Sequence, residues 1–75
     1  MKEAVRDVAF CLRKLADNFE HEGSMYLCVG ETRLETRCGG YHVVYDSDGT
    51  KNDFTDLLMA INYLRQINGW NTSKV

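Results

Sequence analysis

Apolar residues recur at helical spacing at both ends of the chain and alternate with polar ones in the middle. Over residues 2 to 20, Val5, Val8, Ala9, Leu12, Leu15, Ala16 and Phe19 fall at the i, i+3, i+4, i+7 intervals that line one side of a helix. This predicts a first helix whose apolar stripe faces the core, with Gly23 ending the connection after it. Residues 53 to 68 repeat the pattern through Phe54, Leu57, Leu58, Ile61 and Leu64. There, Thr50 or Asn52 is the expected cap and Asp53 and Asp56 suit the positive first turn. Asn68-Gly69 suits the end, with Trp70 folding back on the last turn.

Between the helices, Gly30-Glu31 and Gly39-Gly40 each suit a two-residue hairpin turn. Pairing about Gly30-Glu31 sets Leu27 opposite Leu34 and Met25 opposite Thr36. Pairing about Gly39-Gly40 sets Leu34 opposite Tyr45 and Thr36 opposite Val43. Both registers predict one apolar face of Met25, Leu27, Val29, Leu34, Cys38, Tyr41, Val43 and Tyr45. The expected architecture is α+β in the order α-β-β-β-α, a three-stranded antiparallel meander with two helices packed on one face. A single domain is expected over residues 1–70, followed by a C-terminal tail at 71–75.

The same registers put Tyr26, Cys28, Arg33, Glu35, Arg37, His42, Val44 and Asp46 on the other face. A solvated antiparallel sheet laced with cross-strand charge pairs accounts for such a mixture. Tyr and Arg are also the residue types that dominate binding energy at protein interfaces. Tyr26, Arg33, Arg37 and His42 are therefore the first candidate partner-binding set. Phe10, Met59 and Tyr63 form a second, because each lies off the main apolar stripe of its helix, where a fully solvated surface needs no large apolar group.

Composition narrows the function classes. The chain has 75 residues, 44% hydrophobic and 27% charged, in the range of one globular domain. A chain of this size buries only about 60 to 65% of its unfolded surface, so pairing into a homodimer is one expected source of added stability. Its three cysteines, Cys11, Cys28 and Cys38, lack any CxxC spacing, which fits reduced thiols in a cytoplasmic protein better than a disulfide framework or a zinc site. No signal-like or membrane-spanning apolar run is present, and a formal net charge of −2 offers no strong steering toward nucleic acid or membrane.

Candidate chemistry is sparse. The stretch "DSDGTKNDF" has Asp46, Asp48 and Gly49 at calcium-loop spacing, but Val44 and Thr55 then occupy the defining ligand positions, which favours a turn followed by a helix cap. His21 and His42 lack a second ligand at helical or hairpin spacing. Cys28 shares the predicted open face with His42, yet a flat sheet gives a thiolate no pocket in which to hold an oxyanion. No cofactor, no metal and no enzymatic activity are expected.

The order α-β-β-β-α resembles that of the double-stranded RNA-binding domain, which implies a nucleic-acid-binding alternative. Those domains open their last helix with a lysine cluster, whereas this chain has "GTKNDFTD", with Lys51 followed by Asp53 and Asp56. Lys2, Arg6 and Arg13 share a flank of the first helix and Arg33 and Arg37 share the open sheet face, two separate small basic patches rather than one stripe. The favoured expectation is a small non-enzymatic interaction domain that binds a protein partner. Its size suits a regulatory or inhibitory accessory factor, such as those phages direct against host or defence machinery.

Overall fold

A computed structural model describes residues 2–69 of the chain. Trp70 and the expected tail lie outside the described residues. The order is α1 (Lys2–Glu22), β1 (Met25–Val29), β2 (Thr32–Arg37), β3 (Tyr41–Tyr45), β4 (Lys51–Phe54) and α2 (Leu57–Ile67). The fold is α+β, with four antiparallel strands in the order β1-β2-β3-β4 rather than the expected three. The fourth strand also removes the match in element order to the double-stranded RNA-binding domain.

The added strand comes from residues read as the start of the second helix. Asp46 turns the chain back: its backbone N–H donates to the Thr50 carbonyl, and the Asp48 carboxylate accepts from the Thr50 N–H at 2.9 Å. This Asx turn delivers Lys51–Phe54 antiparallel to β3, with Val44 opposite Asn52 and His42 opposite Phe54. Phe54 then packs against the core. Asn and Asp are poor strand formers, so the anchor is tertiary rather than local. The helix consequently starts later, and its cap is neither Thr50 nor Asn52 but Asp56, whose carboxylate accepts from the Leu58 N–H at 2.9 Å.

The first hairpin has the predicted register, with Leu27 opposite Leu34 and Val29 opposite Thr32. The second is displaced by one residue: Leu34 faces Val44, and Arg37 faces Tyr41 across a three-residue loop of Cys38, Gly39 and Gly40. Both glycines hold positive φ, so they serve the longer loop as readily as the shorter one. A one-residue slip exchanges the faces of a whole strand. Val44 and His42 therefore point toward the helices, while Tyr41, Val43 and Tyr45 stand on the open side. A buried tyrosine needs a partner for its hydroxyl, and this register leaves two phenols near water instead of under helices.

Cys11 and Leu15 of α1, Leu27, Leu34 and Val44 of the sheet, and Ala60, Ile61 and Leu64 of α2 form one fully buried core. Both helices thus cover the same face. At the far end, Asn68 Nδ2 donates to Thr32 Oγ1 at 3.0 Å and to the Leu64 carbonyl at 2.9 Å, fastening the end of α2 to the first hairpin. Between the helices, Arg65 Nε donates to Asp7 Oδ2 at 2.9 Å.

The core-facing side of α1 coincides with only one edge of the side its periodicity marks, at Val8 and Leu15. Val5, Leu12 and Phe19 are 68%, 45% and 56% exposed, and Ala16 is exposed as well. The helix is turned so that Cys11 and Leu15, with Val8 beside them, face inward. On α2 the burial is likewise shifted: Leu58 is exposed, whereas Ala60 is buried and Tyr63 and Ile67 pack against the core.

Candidate functional site

The open face of the sheet is organised around Glu35. It sits on the second of four strands, between Tyr26 on β1 and Val43 on β3, with Asp53 beyond. The next row is Cys28, Arg33, Tyr45 and Lys51, and Arg37 faces Tyr41 at the hairpin end. Arg33 and Arg37 flank Glu35 at i−2 and i+2 on its own strand, and so on its own face. Arg33 Nε donates to Glu35 Oε2 at 2.6 Å, and Arg37 Nη2 donates to Glu35 Oε1 at 2.5 Å.

Each arginine also engages a tyrosine. The Arg33 guanidinium lies 4.3 Å from the centre of the Tyr26 ring, a cation–π contact, and Arg37 Nη2 reaches the Tyr45 hydroxyl at 3.4 Å. The Tyr26 hydroxyl donates to Glu22 Oε1 at 2.7 Å, tying the face to the end of α1. Partial burial works against ionising Glu35, but hydrogen bonds from Arg33 and Arg37 outweigh it and hold its carboxyl below the usual range. The Tyr26 phenol is raised, chiefly because it donates to Glu22.

These contacts make a braced platform. Val43 shows how tightly it closes: although it faces away from both helices, it is only 1% exposed. Tyr41, by contrast, is 40% exposed, and the side chains of Arg33 and Arg37 are 40% and 46% exposed. A groove of about 510 Å³ opens beside the network, where α1 ends and β1 begins, lined in part by Phe19, Met25, Tyr26, Arg37 and Cys38.

Of the first candidate set, the structure brings together Tyr26, Arg33 and Arg37 and separates His42. The shifted register puts His42 on the helix-covered side, opposite Thr36 and Phe54, with its Nδ1 3.1 Å from Thr36 Oγ1. Tyr41, Tyr45 and Glu35 take its place. For the two tyrosines the signal in the sequence was their place at the first and last positions of "YHVVY", four apart and so on one face, which suits a wet face better than a dry one. In the second set, Phe10 and Met59 are 43% and 58% exposed. Tyr63 is instead a packing residue, with its ring 5.5 Å from that of Phe54 and its hydroxyl 3.4 Å from Asp46 Oδ2.

The register also parts Cys28 from His42, which lie on opposite faces, so the thiol–imidazole pair considered for nucleophilic chemistry is not assembled. Cys28 is exposed, with Arg33 Nη1 3.8 Å from its sulfur. The carboxylates of Asp46 and Asp48 accept backbone N–H groups of their own loop, as a turn requires. Among the described residues no group of three or more His, Cys, Asp or Glu side chains could hold a metal ion, and no helix is long and apolar enough to cross a membrane. No protein-family model, curated protein or solved structure matches the chain.

Proposed function

We propose that this protein is a small non-enzymatic docking domain, a regulatory or inhibitory accessory factor that binds a protein partner through the open face of its sheet. The observation that carries this reading is the Tyr26–Arg33–Glu35–Arg37–Tyr45 network with Tyr41 at its margin. Tyrosine and arginine are the side chains that most often dominate interface energy, and here their rotamers are held before any partner arrives, which lowers the entropy lost on binding. The adjoining groove offers apolar walls next to a guanidinium, a setting for an anchoring side chain of the partner.

The same tyrosines and arginines could stack unpaired bases. Charge favours protein: Glu35 already takes hydrogen bonds from both arginines, and Lys51 shares the face with Asp53. Little positive potential is left for phosphates.

A photo-crosslinking residue at Tyr41, and in parallel at exposed Lys14 on α1, tests the reading. A protein trapped only from position 41, whose affinity for the purified domain falls tenfold or more with both Tyr41→Ala and Arg37→Glu, supports it. Equal trapping from both positions, or unchanged affinity in both variants, overturns it. A nucleic-acid ligand whose affinity falls steeply between low and physiological salt transfers the face to the alternative reading.

A further inference from the structure

The exposed stripe of α1 is a second surface, sharing Phe19 with the groove beside the sheet. Val5, Leu12 and Phe19 are spaced seven apart, and Ala9 and Ala16, also seven apart, lie beside them. At 3.6 residues per turn these five fall within a narrow arc of the helix, about 21 Å long from Val5 to Phe19 at 1.5 Å per residue. The core uses the neighbouring arc of Cys11 and Leu15 and leaves Val5, Leu12, Ala16 and Phe19 exposed, with Ala9 half-buried between them. An apolar depression of about 360 Å³ lies on it, lined by Val5, Val8, Ala9 and Leu12. Leucine and phenylalanine alternating with alanine make a seam of large and small positions, into which the same seam of another helix can fit.

Charge along the outer flank identifies the occupant. Arg6, Arg13 and Glu20 follow the stripe residues by one position, with Asp17 next to them, and all four are exposed. The flank is therefore basic in its first half and acidic in its second. We infer that α1 pairs antiparallel with α1 of a second copy of this chain, across a two-fold axis near Leu12 and Arg13. A two-fold axis perpendicular to the helices brings the two outer flanks together with opposite polarity. Arg6 of each copy then meets Glu20 of the other, and Val5 meets Phe19. Parallel pairing, about an axis running along the helices, would set the outer flank of each copy beside the flank of the other that carries Cys11 and Leu15, and neither Arg6 nor Glu20 would gain its opposite charge. A seam one helix wide belongs to the smaller interfaces, so the dimer forms at high rather than trace concentration.

Sedimentation equilibrium of the full chain, from about ten micromolar to about one millimolar, tests this. The expected result is a monomer–dimer equilibrium in the wild type and a monomer throughout in Leu12→Glu, with an unchanged circular dichroism spectrum because Leu12 is not part of the core. Arg6→Glu weakens the dimer at least threefold, and Arg6→Glu combined with Glu20→Arg restores it. A wild type that stays monomeric overturns the inference. So does a dimer that survives Leu12→Glu, one that Met59→Glu abolishes instead, or a charge exchange that fails to restore association. Partner binding at Tyr41 is read in a separate measurement.

Discussion

The two helices cover one face of one sheet, yet they use their apolar residues differently. On α2, eleven residues long, Ala60, Ile61 and Leu64 are buried and Leu57, Tyr63 and Ile67 pack against them. On α1, twenty-one residues long, only Cys11 and Leu15 are fully buried among the described side chains, and the three large stripe residues Val5, Leu12 and Phe19 are exposed. Amphipathic periodicity reports that a helix has a side to cover, not what covers it. For α2 the cover is this domain's own core. For α1 the domain covers only part of that side and leaves Val5, Leu12 and Phe19 exposed.

The contrast can be broken at several points, the largest first. Leu64→Ala and Leu15→Ala each remove a fully buried side chain and should cost about 2 to 5 kcal/mol in urea unfolding. Equal losses for the outer stripe would dissolve the comparison. Next is the joint between the helices. Asp7→Ala leaves the guanidinium of Arg65, whose side chain is 8% exposed, without its carboxylate, and a loss of about 1 to 3 kcal/mol is expected. Asp56→Ala removes the cap of α2 and should cost about 1 kcal/mol.

Cys11 sharpens the comparison within α1, because it is adjacent to Leu12 but on the inner side. Burial, reinforced by Asp7, pushes its thiol up from 9.0 to about 11. The folded state therefore holds this proton more tightly than the unfolded chain. The resulting stability is fully present below about pH 9 and is lost as pH rises through about 11. A Cys11→Ala variant should show a shallower alkaline loss than the wild type, and in the native protein Cys28 and Cys38 should alkylate before Cys11. The smallest effect is expected from Leu12→Ala in dilute solution, within about 0.5 kcal/mol, since there is no cavity to leave behind.

How legible the molecule was in its sequence varies from element to element. The first hairpin could be read because a Gly-X turn and the pairing of Leu27 with Leu34 gave the same register independently. The second could not, because "YHVVY" offers a valine to either face and Gly39-Gly40 fits a loop of two or three residues. Lys51–Phe54 carries almost no strand signal of its own, and only Phe54 reaching the core marks it as part of the sheet. The candidate site was legible where it lies on β1 and β2, at Tyr26, Arg33 and Arg37. It was misread on β3, where the register slip exchanged His42 for Tyr41 and Tyr45.

What the sequence determined by itself was local: two helical segments, a strand-rich middle, the first turn and its register, and a sheet face bearing alternating arginine and glutamate. These follow from side-chain periodicity and turn chemistry within a few residues. Only the tertiary structure decided the fourth strand, the face of β3 and the rotation of α1. Each of those is a choice between arrangements of nearly equal local merit. The choice is made by burial shared among distant segments, which together leave Tyr41 and Tyr45 near water, seat Phe54 against the core and turn Leu12 outward.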